Sequence, residues 1–141
     1  SIPPEYSSGV IYHGFLFKNQ PTQKKRFEKI LNECVVFVMP SLYEPFGIAP
    51  LEAMVYEIPC ILTNAWAFPE MIKPGVNGEL IECGNVQELT DKIVSFLENP
   101  DHLQEMGRTG RRLVLEKFTW ERVVSNLIRE ISADASPMSV P

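Results

Sequence analysis

The sequence is poor in features that would commit a short chain to several common fates. It holds three cysteines, Cys34, Cys60 and Cys83, odd in number and far apart, with no CxxC pair and no zinc-ligand spacing. That argues against a disulfide scaffold and against a metal-built domain, and fits reduced thiols in a cytosolic protein. Cys34 and Cys60 stand among apolar neighbours and read as small core residues. Basic residues are not in excess: Lys and Arg number 13 against 18 Asp and Glu, for a net charge of −5. Nucleic acid is therefore not an expected partner, since a polyanion calls for a basic face. No apolar run is long enough to cross a bilayer, and no signal-peptide pattern is present. Internal repeats are absent, and low complexity is confined to the last residues. What remains, 45% apolar and 22% charged in 141 residues, suits one soluble globular domain with a core of its own.

The pattern along the chain alternates between strands and helices. Val10 to Gly14 reads as a strand ending at glycine, and Phe15 to Gln20 as a loop. Pro21 to Glu33 predicts a helix, with proline in its first turn and Phe27, Ile30 and Leu31 at helical spacing. The run Lys24-Lys25-Arg26 is then a solvated face. Val35 to Met39 is apolar without alternation, which predicts a strand buried on both faces of a parallel sheet. A Pro/Gly-rich turn follows, then a helix from about Ala49 to Tyr56. Ile58 to Leu62 is the next strand, Pro69 to Ile72 a single helical turn, and Glu79 to Glu82 a short strand. Between these, Lys73 to Gly78 is dense in turn residues.

Three helices close the pattern. Asn85 with Glu88 has capping-box spacing ahead of a helix that would bury Leu89, Ile93, Phe96 and Leu97. Asn99-Pro100 opens a second, carrying Leu103, Met106, Leu113 and Val114, with Gly107 and Gly110 permitting close approach. Thr119 would cap the third, whose stripe is Trp120, Val123, Val124, Leu127, Ile128 and Ile131. Residues from Ala133 on have no pattern and are expected to be a disordered tail. The fold class is α/β: a Rossmann-like parallel sheet of about four strands with flanking helices and crossover connections.

The chemistry concentrates in Pro40 to Met54, "PSLYEPFGIAPLEAM". Ligands of open parallel sheets bind beyond the carboxyl ends of the strands, and this turn is such an end. Backbone N–H groups of Gly47, Ile48 and Ala49 would open the next helix, where they lack intrahelical partners and the dipole adds positive potential. A phosphate or diphosphate suits that place, and Gly47 would admit it close to the backbone. The carboxylates Glu44 and Glu52 repel phosphate but accept hydrogen bonds from hydroxyls. A ligand ordered sugar, diphosphate, ribose would match carboxylate, amides, carboxylate. The plainer reading is also open: Glu52 would be favoured by the helix dipole in a first turn by roughly 0.3–1 kcal/mol whatever the function, and Glu44 could be a solvated turn residue.

Glu44-Pro45-Phe46-Gly47 followed by Leu51-Glu52-Ala53-Met54 resembles the E-x7-E signature of the large retaining glycosyltransferase family with the GT-B fold, glycosyl transferases group 1. The resemblance runs in order through Val10 to Phe15, Phe37 to Ser41, Ile58 to Ile61, the Phe68-Pro69-Glu70 segment with Gly75, Asn77 and Gly78, and Phe118-Thr119-Trp120. It implies that residues 1–132 are the C-terminal, nucleotide-sugar-binding domain of such an enzyme, incomplete at its N-terminus, with 133–141 as tail. It implies that Glu44 contacts the donor sugar near the reacting carbon. Phe46, Gly47, Ile48 and Ala49 would bind donor sugar and diphosphate, and Glu52 the ribose. Gly14, Phe15, Leu16 and Phe17 would lie by the base. The implied reaction moves a sugar from a nucleotide-diphosphate sugar to an acceptor hydroxyl with retention. It uses no cofactor and no bound metal. The acceptor, a saccharide, lipid or small molecule, would be held mainly by an N-terminal domain that this sequence does not contain. The implied location is cytoplasmic, with peripheral contact at the membrane face left open by the cluster Arg108, Arg111 and Arg112.

Two departures from the family pattern stand out. Glu57 occupies a helix C-cap position where the family usually has glycine, which would strain or lengthen that helix end. Ala65-Trp66-Ala67-Phe68 replaces smaller residues; Phe68 reads as core, and Trp66 as either core or a wall of the site. His13 reads as structural, His102 as exposed, and Glu70 as a cap or a site organiser. Other readings are a nucleotide-sugar epimerase of the same fold, which would want a histidine and acid constellation, and a non-catalytic α/β nucleotide- or carbohydrate-binding module.

Overall fold

The computed structural model describes residues 8–134. The chain divides into two compact units, Ser1–Glu33 and Cys34–Pro141. In the first, helix α1, Pro21–Glu33, begins on proline as expected. The Gln20 carbonyl accepts from the Lys24 N–H at 2.9 Å, and the Gln23 side chain accepts from the Phe17 N–H at 2.8 Å. Lys24 pairs with Glu28 at 3.8 Å and Lys29 with Glu33 at 3.7 Å on exposed positions, so the basic run is a solvated face. His13 Nδ1 lies 3.1 Å from the Arg26 guanidinium, a structural role.

Val10–Gly14 corrects the expectation of a first strand: it is extended or irregular chain with no ladder partner among the described residues. Val10, Ile11 and Tyr12 are exposed. An apolar run states a demand for burial, but a strand also needs a neighbour to take its N–H and C=O groups.

The second unit is built on three parallel strands, β1 (Phe37–Met39), β2 (Cys60–Thr63) and β3 (Gly78–Ile81), in that order across the sheet. Phe37 pairs with Cys60 and Met39 with Leu62; Cys60 pairs in turn with Gly78 and Thr63 with Ile81. The central strand β2 is buried at every residue. The full burial expected of Val35–Met39 does not hold: β1 is shorter, Val35 is exposed, and Val38 keeps 37% of its surface. It is an edge strand, paired on one side only among the described residues, and lacks the cover that the central β2 has.

Helix α2, Ile48–Val55, follows β1 and buries Pro50, Ala53 and Met54. Helix α3, Phe68–Met71, is one turn and buries Phe68 and Met71. The turn into β3 is held by Asn77, which is 1% exposed. Its carbonyl oxygen accepts from the Lys73 N–H at 2.7 Å, and its amide donates to the Met71 carbonyl at 2.9 Å. The next residue must be glycine, since a Cβ at Gly78 would lie 2.5 Å from the Cys60 carbonyl oxygen. Asn77-Gly78 is therefore a fold-making pair.

Helices α4 (Val86–Glu98), α5 (Pro100–Lys117) and α6 (Trp120–Asp134) complete the unit. Asn85 caps α4, accepting from the Glu88 N–H at 3.1 Å. Glu88 does not return the bond to the Asn85 backbone; it accepts from the Glu82 N–H at 2.8 Å, tying helix to strand end. Asn99 precedes α5 but does not cap it with its side chain; its amide donates back to the Ser95 carbonyl at 2.9 Å and closes α4 instead. Ile61, Ile81, Phe96, Leu103 and Met106 form the core between sheet and helices. Leu97 is exposed rather than core. A Cβ at Gly107 would fall 1.9 Å from the Glu57 carbonyl oxygen, so α5 crosses the end of α2 at backbone distance. Thr119 caps α6, accepting from the Arg122 N–H at 3.4 Å. The apolar stripe of α6 stays largely exposed at Trp120, Val123, Val124, Leu127, Ile128 and Ile131, with Trp120 and Val123 at its start facing Phe46, Ile48 and Leu51 across a cavity. The helix takes in Ala133 and Asp134, so it runs past the expected start of the tail; the rest of that expectation, 135–141, lies outside the described residues.

Candidate functional site

The three strands point the same way, so their carboxyl ends share one side of the sheet. Two loops leave that side next to each other, Pro40–Gly47 after β1 and the loop after β2. Their junction is fixed by the Thr63 hydroxyl, which donates to the Ser41 carbonyl at 2.9 Å.

Gly47 is the hinge between the first loop and α2. It is the N-cap residue, with φ 78° and ψ 90°, and no side chain caps the helix. A left-handed φ of this kind favours glycine. Space demands it as well: a Cβ here would lie 2.8 Å from Cε1 of the buried Phe68 ring and 3.3 Å from Cγ of Glu44. One residue thus turns the chain, exposes a helix N-terminus and brings Glu44 against it. Pro50, inside the first turn, has no N–H to leave unsatisfied.

Glu52 is not in the first turn of α2, which holds no acidic residue. The dipole explanation for it therefore loses force, since that effect falls off within the first turn. Glu52 instead lines a cavity of about 390 Å³ together with Phe46, Ile48, Leu51, Phe118 and Trp120. Phe46, Ile48 and Glu52 are thereby brought to one concavity, while Glu44 lies beside Gly47 at the start of the helix. Gly14, Phe15, Leu16 and Phe17 belong to the first unit, where Phe15 and Phe17 pack edge to face with ring centroids 4.8 Å apart. Among the described residues no group of three His, Cys, Asp or Glu side chains is placed to hold a metal ion. No helix of the described residues is long and apolar enough to cross a membrane.

The departures noted in the sequence have structural addresses. Glu57 sits at φ 61° just past α2. The helix is not lengthened; the strain is accepted, and Arg111 reaches across from α5, donating to the Val55 carbonyl at 3.1 Å and lying 3.8 Å from the Glu57 carboxylate. Arg108 lies 3.8 Å from Glu105 and Arg112 donates to the Thr109 hydroxyl, so this cluster has partners within its own surface. Phe68 is wholly buried, as expected of core. Trp66 is at φ 53° and packs edge-on to Phe68 and to Tyr43, with centroids 6.4 and 5.9 Å away. Tyr43 carried no signal in the sequence beyond lying in the turn.

Residues 11–113 match the family described as Glycosyl transferases group 1. The chain is 34% identical over 122 residues to alpha-maltose-1-phosphate synthase of Mycolicibacterium smegmatis, covering 80% of this chain and 31% of that protein. Its fold is similar to the solved C-terminal domain of a glycosyl transferase group 1 family protein, LpcC, from Francisella tularensis. The TM-score is 0.66 at 27% identity, covering 79% of this chain and 54% of that one. A structure of S. aureus TarM, a variant in complex with fondaparinux, alpha-GlcNAc-glycerol and UDP, is similar with TM-score 0.65 and 27% identity, covering 72% and 21%. The chain spans about a quarter to a third of the length of the curated relatives it matches.

Proposed function

The chain belongs to the glycosyl transferases group 1 family, a domain of a glycosyltransferase, and from that premise we propose that its Glu44–Glu52 turn is the donor cradle of a retaining transferase. The ligand is a nucleotide-diphosphate sugar. Glu44 accepts hydroxyls of the transferred sugar. The backbone of Phe46, Gly47, Ile48 and Ala49 meets the sugar and the diphosphate. Glu52 accepts the ribose hydroxyls. The observation that carries this reading is Gly47: its positive φ opens an uncapped helix N-terminus with the Glu44 side chain beside it.

The arrangement suits the chemistry. As the bond from the anomeric carbon to the diphosphate breaks, negative charge grows on the leaving oxygen. Fixed N–H dipoles at a helix N-terminus stabilise that charge without reorganising at the moment of reaction. A carboxylate there would oppose it, which is why both glutamates are assigned to hydroxyls. The relative crystallised with UDP supports uridine as the first base to try. An acceptor hydroxyl would be presented by parts of the enzyme outside this chain, and the location remains the cytoplasmic side, as the resemblance implies.

Calorimetry with uridine, guanosine and adenosine diphosphate sugars tests the reading. At least one should bind. In the longer enzyme, Glu52→Ala should mainly weaken nucleotide binding, and Glu44→Ala should mainly lower kcat. The opposite split would refute the role assignment.

A further inference from the structure

We propose that Trp66, backed by Tyr43, forms an aromatic platform for the hexose ring of the donor and so sets which sugar is accepted. This rests on the donor-cradle reading above and adds a residue to it.

Place comes first. Trp66 lies in the loop after β2 and Tyr43 in the loop after β1, and the Thr63–Ser41 hydrogen bond holds those loops together. A short contact path leads from Trp66 to the cradle. Its ring meets Phe68 edge-on, and the Phe68 ring reaches within 2.8 Å of where a Cβ of Gly47 would stand, beside Glu44. The aromatic pair and the carboxylate thus border the same end of the turn.

Conformation is the second argument. Trp66 holds φ 53°, a region that glycine enters freely and bulky residues rarely do. Strain of this kind persists where the surroundings over-determine it, commonly at ligand sites. Full burial of the ring would be an alternative reason for a tryptophan here. Yet Trp66 keeps 36% of its surface and Tyr43 keeps 75%. The phenyl group that fills the interior is Phe68. Trp66 is the ring left at the surface on top of it.

Chemistry is the third. A pyranose has an apolar face of C–H groups and a rim of hydroxyls. The negative face of an indole attracts such C–H groups, and carboxylates take the rim. Small-molecule sites combine these two elements, an aromatic wall and a few placed polar groups. Glu44 alone would read hydroxyls; with Trp66 the site would also read whether the ring offers an unbroken apolar face.

The test uses the full 141-residue chain. UDP, GDP and ADP are titrated beside the glucose conjugate of each, by calorimetry and by following the indole N–H resonance of Trp66. That resonance is one of two in the chain and is assigned from its loss in Trp66→Phe. The wild type should bind one conjugate more tightly than its bare nucleotide, by about fivefold, and the Trp66 indole should shift only with the conjugate. Trp66→Gly, which relieves the backbone strain, and Tyr43→Ala, at an exposed position, should both shrink that excess while leaving affinity for the bare nucleotide within about twofold. Trp66→Phe should restore part of it. A conjugate-to-nucleotide ratio unchanged in both variants, or an indole that shifts equally with bare nucleotide, overturns the platform and leaves the cradle standing. Failure of every nucleotide and conjugate to bind the wild type overturns the cradle, and the platform with it.

Discussion

Gly47→Ala separates two demands that the structure places on one residue. The first is backbone: φ is 78°, and an L-residue there costs about 1–2 kcal/mol. The lower entropy of the unfolded alanine chain offsets about 0.4–1 kcal/mol of that. The second is space. The new methyl would stand 2.8 Å from Cε1 of Phe68, a ring with no exposed surface, and 3.3 Å from Cγ of Glu44. Overpacking a site of this kind costs about 1–3 kcal/mol. The sum is about 1–4.5 kcal/mol, or a fall in Tm of roughly 3–14 °C for a chain of this size. Gly75→Ala is the control. Its φ is 73°, but a Cβ there meets nothing within 4 Å, so only the backbone share remains, about 1 kcal/mol. Thermal and urea unfolding of both variants would measure the difference. If Gly47→Ala costs no more than Gly75→Ala, Phe68 yields to the methyl and the packing that presses Glu44 against the helix start is not as described. If the costs do differ, donor binding should fall by more than the loss of folded protein explains, because Glu44 must move.

Other outcomes follow from the same geometry. Glu57→Gly should stabilise the chain by about 0.5–1 kcal/mol, since it relieves a left-handed φ at a helix end and gives up only a half-exposed pair with Arg111 at 3.8 Å, worth little; a lower urea midpoint would refute this. Burial pushes the Cys60 thiol well up, the nearby Cys34 adding to the effect. The folded thiol then stays protonated where the unfolded one, near pH 8.5–9, ionises. The folded pKa is the raised one, so stability is full below that range and falls as pH rises through it, by up to about 1.4 kcal/mol per pH unit from this group. Urea unfolding at pH 8 and pH 10 should show the loss, and Cys60→Ala should flatten it; an equal slope in both proteins would contradict the assignment.

Much of this was legible in the sequence, and the reasons differ from element to element. Helix α1 was found to the residue because proline, periodicity and charge all agreed on Pro21–Glu33. Gly47 was legible because glycine between proline-rich turn and apolar helix has few other uses. Glu57 was legible as a departure, and its positive φ is the physical form of that departure. Val10–Gly14 failed for the opposite reason: its residues ask for a strand, and strand formation depends on a neighbour that local sequence does not describe. The α6 stripe failed likewise, since periodicity marks Leu127 and Ile131 as wanting cover without saying whether cover is present. Asn99 opens α5 as expected, its carbonyl accepting from the Leu103 N–H, while its side chain closes α4, a double duty between adjacent helix ends that spacing alone does not show. Tyr43 gave no signal, because its role depends on a ring brought from another loop, twenty-three positions along at Trp66.

The central claim is that the start of α2 is where the donor diphosphate binds. Backbone N–H resonances of the 141-residue chain, followed while uridine, guanosine and adenosine diphosphate sugars are added in turn, test it at residue level. At least one donor should shift Gly47, Ile48 and Ala49 most, with Glu44 and Glu52 moving alongside. A chain that binds none of the donors, or one whose largest shifts avoid Gly47 to Glu52, would contradict it.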